Sequence, residues 1–383
     1  MAIANQLKWK KYHPLSDQNA FICLVDCMGD DNAITQAARA SYDGFAQGLK
    51  ISKKAITKVN KEWFHFNLAS DIVAIDNRPD GDGYPEVYIV YFEDPSERPV
   101  EIFFSSSPIY QALVRLKQVQ IEEDRHLTRY LMNNEHTTPF EMVTVKFMVQ
   151  VPMDCWRQWV RHRVASINEY STRYMEALDF FQVTKPTEWR LQSKDNKQGS
   201  SGFLAEWPEG WALKQSEENL NDYQRSNGML SVFVDSPTTT PGQVLSNLEQ
   251  STNSITTDEY RLRLALGVAK EQARKDLPLS TYTRAYWQCN LRNIFHFLRL
   301  RMDSHAQLEI RSFANSMYEI IKQLCPVACE AFEDYVLHAK RFSRMEMEIL
   351  KEIVSCATTN QYSFEKPEAL TTREWKEFID KLS

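Results

Sequence analysis

The chain has 383 residues, 43% of them hydrophobic and 25% charged, with a formal net charge of −6. That is enough for a sizeable core, in one large domain with insertions or in two domains. The acidic balance excludes indiscriminate binding to nucleic-acid backbones, so basic side chains gathered in one place point to a pocket for a small anion. Seven Cys are scattered without a CxxC pair; Cys23 and Cys27, like Cys325 and Cys329, sit four apart with no histidine to complete a metal set. Free thiols in a reducing compartment and no metal site are expected. The N-terminal stretch lacks the apolar core of a secretory signal, and no window reaches the ~18 apolar residues of a membrane span. A cytoplasmic protein without membrane or nucleic-acid partners is expected.

Phe21–Asp26 reads as a short buried strand, followed by a helix through AITQAARASY capped by Asp31 or Asn32. From Gly44 a Lys-dotted stretch, with the character of a solvated helix face, leads to the turn-like DNRPDGDG. EVYIVYFEDPSERPVEIFF has the form of a β-hairpin. Helical periodicity runs from Ile109 to Asn133, Pro139 breaks it, and a strand follows with Val143, Val145, Phe147 and Val149 on one face. Met153–His162 reads as an amphipathic helix with Cys155, Trp156, Trp159 and Val160 as its apolar stripe. Residues 185–257 are looser, with a weak helix signal. Helices are then expected over Thr257–Lys275, Thr281–Arg301 and Ala306–Leu324, the last started by a capping box at Ser304, and another capped helix at Thr371 and Glu374.

Three polar clusters stand out. One is His136 to Glu141; one is Gln158 to Tyr174, containing RHRVASINEYSTRY; the last joins Asn290, Arg292, His296 and Arg301 to His305. Such density of guanidinium groups, hydroxyls and amides suits recognition of an anionic ligand, since phosphate draws on all of these donors together. Taken singly, each residue also has a structural explanation as a cap, a surface ion pair or a core histidine. No GxGxxG, GxxxxGK[ST] or GxSxG motif supports a Rossmann loop, a P-loop or a serine-hydrolase elbow. Ser171 is read as a ligand contact before a nucleophile, because neither a positioned base nor an oxyanion hole follows from its sequence neighbours.

The run RHRVASINEYSTRY resembles the RHR-x7-S signature of the flavin-dependent thymidylate synthases, with Arg161, His162 and Arg163 as the triplet and Ser171 as the closing serine. QAARASY, DRHLTRYLMN, HTTPFE, PLSTYTRAYW and LRLRMDSHAQ are similar to that family in the same order, over roughly 200 residues in all. The resemblance implies an α+β fold with a central mixed or antiparallel sheet flanked by helices. A family domain over residues 1–340 would carry insertions at about 44–117 and 190–255, followed by a C-terminal helical extension over 341–383. It implies a homotetramer with active sites between subunits and reductive methylation of dUMP to dTMP. Methylenetetrahydrofolate would give the one-carbon unit, FAD would carry the hydride and NADPH would reduce it.

Carried over by position, the family's FAD contacts fall on Thr138, Arg161, His162, Arg163, Glu169, Asn290, Arg292 and His296, although the family has Asn where this chain has His296. Its dUMP contacts fall on Gln158, Arg161, Glu169, Ser171, Arg173, Arg274 and Arg301. Arg301 resembles the arginine that favours ionisation of the uracil N3, a role suited to a permanent guanidinium charge. A hydroxymethylase on the same chemistry and a catalytically silent nucleotide binder are the alternatives; the surviving FAD contacts, and the surviving Arg274, Arg301 and triplet, argue against them.

Overall fold

Strands of alternating burial build the central sheet, and aromatic residues from three helices close its core. The computed structural model describes residues 2–43, 49–62, 72–78, 87–92, 98–102, 108–194, 199–207 and 240–359, with Asp94, Ser96 and Ile379. In chain order the first elements are α1 (Ala2–Leu7), β1 (Lys11–Tyr12), β2 (Phe21–Met28), α2 (Asp31–Asp43), β3 (Leu49–Lys50), α3 (Lys53–Glu62), β4 (Ile72–Arg78), β5 (Val87–Phe92), β6 (Val100–Ile102) and α4 (Pro108–Asn133). A 3-10 turn (Thr138–Met142) leads to β7 (Thr144–Pro152), α5 (Met153–Trp159), β8 (Ser166–Glu169), β9 (Arg190–Gln192) and β10 (Ser200–Phe203). Then come α6 (Pro241–Ala265), α7 (Lys270–Ala273), β11 (Tyr282–Asn290), α8 (Leu291–Arg301), α9 (Leu308–Leu324), α10 (Pro326–Phe332) and α11 (Arg344–Thr359).

The main sheet has the order β1-β2-β7-β11-β8, every neighbouring pair antiparallel. This is the antiparallel form of the expected α+β sheet. Along β7, Val145, Phe147 and Val149 are fully buried and alternate with half-buried Thr144, Lys146 and Met148. Trp159 of α5 anchors the helical layer. Its ring lies 4.9 Å from Phe297 of α8, 5.7 Å from Phe313 of α9 and 5.8 Å from Trp287 of β11. All four residues are fully buried, and truncating any of them to Ala should cost about 3–5 kcal/mol.

Strands β3, β4, β5 and β6 form a second antiparallel sheet, in that order. Its core joins Ala55, Ile56 and Val59 of α3 to Leu113 and Leu116 of α4. The expected hairpin is β5 paired with β6, with Val90 opposite Val100. On α3 the residues Lys53, Lys54, Lys58 and Lys61 are exposed, as a solvated face requires.

Several expectations need correction. Thr281–Arg301 is a strand followed by a helix. Its first half alternates buried Ala285, Trp287 and Cys289 with less buried Arg284, Tyr286 and Gln288, and Asn290 caps α8 by accepting the Asn293 N–H at 3.0 Å. The expected helix Thr257–Lys275 is interrupted, because Gly267 at φ +79° breaks the chain after α6. Instead α6 begins inside the stretch read as loose, with Thr240 as its cap and Pro241 in its first turn.

Ser304 does not start α9, whose cap position is Gln307 without a side-chain cap bond. The Gln307 side chain is engaged with Gln158 and Asp154. For α2 the Asn32 N–H is capped by Asp30 at 3.0 Å, one residue earlier than expected. Asp31 instead caps α10, accepting the N–H groups of Val327 at 2.8 Å and Ala328 at 2.9 Å. Burial pushes its carboxyl up to about 6.

Met1–Cys329 and Glu330–Ser383 form two compact units. In the second, α11 starts with a reciprocal capping box: the Ser343 N–H donates to Glu346 at 2.6 Å, and the Glu346 N–H donates to the Ser343 hydroxyl at 3.3 Å. Of the turn expected over DNRPDGDG, Asp76, Asn77 and Arg78 instead end β4, paired with β5; residues 79–83 and the expected helix at Thr371 and Glu374 lie outside the described residues. No helix among the described residues is long and apolar enough to cross a membrane.

Candidate active site

Directly after Trp159 the chain leaves α5 in a tight turn. The His162 N–H donates to the Trp159 carbonyl at 3.0 Å. Arg161 and Arg163 are therefore exposed, while His162 is half-buried with its ring 4.8 Å from Phe297. Arg301, at the C-terminal end of α8, donates from Nε to His162 Nε2 at 3.0 Å and from Nη2 to the Gln158 carbonyl at 3.4 Å. Burial, then the neighbouring Arg301 and His296, push the His162 imidazole down to about 4. It is thus neutral at physiological pH, and since Nε2 accepts, Nδ1 carries the proton. Arg301 is half-buried; burial lowers its pKa, but a guanidinium stays charged.

The same helix reaches the other expected residues. His296 lies with its ring 6.1 Å from that of His162. One turn back, Arg292 pairs with Glu141 at 3.4 Å, on the 3-10 turn that also carries Thr138. Asn290 spends its side-chain oxygen on the helix start, so only its amide N–H groups remain for a ligand. Arg161 and Arg163 have no acid partner among the described residues. Guanidinium groups without an acid partner match the needs of a pyrophosphate. Val164, next to Arg163 in the chain, and Ile167 are exposed by 67% and 40% and add apolar surface on the same segment. These residues fit FAD.

A second group gathers at the end of β8. Glu169 accepts from the Thr283 hydroxyl at 2.8 Å, and Arg274 donates to Thr172 at 2.6 Å. Arg173 pairs loosely with Glu271 at 3.4 Å, and its backbone N–H reaches the Ser171 hydroxyl at 3.4 Å. Among the described residues, no hydrogen bond or ion pair joins this group to the one around Arg301. Among the described residues no base bonds to Ser171, and His162, its nearest histidine in sequence, is tied to Arg301. Nor is a thiolate prepared at Cys23, Cys27, Cys155 or Cys289. Burial raises the thiols of Cys23 and Cys155, takes Cys27 to about 11 and takes Cys289 to about 12.

The sequence reading assigned no role to Asp154 or Gln307, which hold Gln158 in place. Asp154 stands four residues before Gln158, a spacing that shares a helix face. Gln307 lies 149 residues from Gln158 in the chain, and no local signal pairs them.

The family model for thymidylate synthase complementing protein matches residues 99–327. A flavin-dependent thymidylate synthase of Dictyostelium discoideum is 38% identical over 247 residues, covering 64% of this chain and 70% of that protein. One from Rickettsia conorii is 37% identical over 260 residues, covering 68% and 80%. The crystal structure of the UMP/dUMP methylase PolB from Streptomyces cacaoi bound with 5-Br UMP superposes with a TM-score of 0.50 at 23% identity. It covers 83% of this chain and 95% of that one, a likeness of fold. The chain belongs to the flavin-dependent thymidylate synthases, flavoprotein methyltransferases of thymidylate biosynthesis.

Proposed function

We propose that this chain methylates dUMP to dTMP, taking the one-carbon unit from methylenetetrahydrofolate, with FAD as hydride carrier and NADPH as reductant. The observation that carries this reading is the Arg301–His162–Gln158 group at one end of α8. FAD, held by Thr138, Arg161, His162, Arg163, Glu169, Asn290, Arg292 and His296, supplies the hydride when bound. The protein's own contribution at the pyrimidine is charge. Arg301, half-buried and held by a neutral imidazole, places a permanent cation where negative charge builds on the uracil ring as C5 attacks. In partial burial that charge acts far more strongly than it would in water.

Attack by a protein nucleophile is not needed. The raised thiols of Cys27, Cys155 and Cys289 and the unassisted Ser171 are poorly suited to it. Arg173, Arg274 and Ser171 take the nucleotide phosphate, beside Glu169. Among the described residues this group shares no bond with the Arg301 group, and we read the site as completed by a second copy of the chain in a homotetramer.

Tritium release from 5-labelled dUMP tests the reading. Release that requires both methylenetetrahydrofolate and NADPH, from a protein that purifies yellow, is the expected result. No release with every component present, or a colourless protein that takes up no FAD, would overturn it.

A further inference from the structure

Gln158 is held from behind by a ladder of hydrogen bonds. Asp154 accepts from the Cys155 N–H at 2.6 Å with Oδ1 and from Gln307 Nε2 at 3.0 Å with Oδ2. Gln307 Oε1 accepts in turn from Gln158 Nε2. Burial raises the Asp154 pKa, while the bonds from Gln307 and Cys155 favour the carboxylate. The Arg190–Glu309 pair, at 2.9 Å, stands nearby.

The direction of the ladder follows from donor and acceptor counting. A carboxylate has no proton, so Gln307 must turn its NH2 toward Asp154. Its carbonyl then faces Gln158, which must turn its own NH2 inward. The atom left to face a ligand is the Gln158 carbonyl oxygen, an acceptor. Arg301 donates to the backbone carbonyl of the same residue, so acceptor and guanidinium stand at one end of the site.

Resting on the reading of this site as a dUMP site, we propose that Asp154 is a positioning residue. It acts through Gln307 to present the Gln158 carbonyl to a hydrogen-bond donor of the nucleotide. An ionised phosphate offers no donor, whereas dUMP has two, the N3–H of the base and the 3′ hydroxyl of the sugar. Gln158 therefore reads base or sugar and leaves the phosphate to the arginines.

The ladder can be inverted and then restored. In Asp154→Asn the single remaining oxygen is needed by the Cys155 N–H, so the new NH2 faces Gln307. Gln307 must turn over, Gln158 follows, and an N–H replaces the carbonyl facing the ligand. The Kd and KM for dUMP should rise about 10-fold or more, the size expected when a buried donor loses its acceptor. The change in kcat should stay below about 3-fold, with flavin content and Tm as in the wild type. Adding Gln307→Glu supplies a carboxylate that accepts from both neighbouring amides. Asp154→Asn/Gln307→Glu should therefore bind dUMP within about 3-fold of the wild type, a rescue that a merely structural role does not predict.

Gln307→Leu leaves Asp154 and its bond to Cys155 intact and serves if the Asn variant does not fold; it should raise KM in the same direction. N3-methyl-dUMP and 3′-deoxy-dUMP identify the donor: one of them should bind the wild type about 10-fold more weakly than dUMP. Wild-type dUMP affinity in Asp154→Asn, no rescue in the double variant, or equal wild-type binding of both analogues overturns the ladder alone. A wild-type protein that holds flavin but does not bind dUMP overturns the nucleotide reading, and the ladder with it.

Discussion

The two groups of site residues differ in how the fold holds them. Around Arg301, at the end of α8, side chains are half-buried, bonded to one another and backed by the Trp159, Phe297 and Phe313 core. At the end of β8, an exposed edge strand, Glu169 and Arg173 lie at the surface, and the Arg173–Glu271 pair is more than half exposed on both sides. Surface pairs of that kind contribute little to stability. The first group is organised before any ligand arrives, which suits a role in the transition state. The second is free to reorganise around an anion, which suits binding. Function should therefore fail differently at the two places.

The largest effect is expected at Arg301. Arg301→Ala should lower kcat by roughly 10²–10³-fold, the cost of losing one preorganised electrostatic group. Flavin content, read from absorbance, should stay near the wild-type value. Loss of flavin with unchanged turnover per bound flavin would move Arg301 from the chemistry to cofactor retention, and the contrast between the two groups would fail. Arg274→Ala comes next. It should raise the KM for dUMP by about 10-fold or more with a smaller change in kcat, since a phosphate contact is made equally in ground and transition states. A fall in kcat without a change in KM would put Arg274 with Arg301 instead.

A pH titration sharpens the comparison on its buried side. The His162 pKa is about 4 in the folded chain against an ordinary 6.5. Between those values the unfolded chain binds the extra proton, so the stability contributed by neutral His162 is complete above about pH 6.5 and is lost as pH falls toward 4. Protonation also turns Nε2 into a donor facing the Arg301 Nε–H, which breaks their bond. His162→Gln offers Arg301 an acceptor that does not titrate. Its Tm should fall less between pH 6.5 and 4 than the wild-type Tm does; parallel curves would show that His162 is not held neutral by its surroundings.

Much of the scaffold was readable because one period dominates each segment. The alternation in β7, the long helical stripe of α4 and the paired runs of β5 and β6 each leave a single interpretation. Thr281–Arg301 misleads because an alternating strand runs straight into an apolar helix with no glycine or proline between them. The junction is marked only by Asn290, whose capping role shows once Asn293 lies above it. Within the site, individual residues have ordinary structural explanations, so composition alone could not single out Arg301. What pointed to it was the likeness of LRLRMDSHAQ to the family. The Asp154–Gln307–Gln158 ladder was not readable, since its bonds span 153 and 149 residues of chain and only folding brings them together.

The smallest effect is expected at Ser171, the residue that most looks like a nucleophile in sequence. Its hydroxyl is met by a backbone N–H at 3.4 Å, a long bond, and no histidine or carboxylate bonds to it among the described residues. A nucleophilic serine needs a base within about 2.6–3.2 Å to take its proton. As a phosphate contact on the exposed group, Ser171 adds one neutral hydrogen bond beside the charged ones of Arg173 and Arg274, and neutral bonds are roughly half as strong. Ser171→Ala should therefore raise the KM for dUMP by less than about 10-fold and leave kcat nearly unchanged. Abolished turnover with intact dUMP binding would mean that the hydroxyl attacks the pyrimidine. It would then be the exposed edge of β8, and not the packed end of α8, that carries the chemistry.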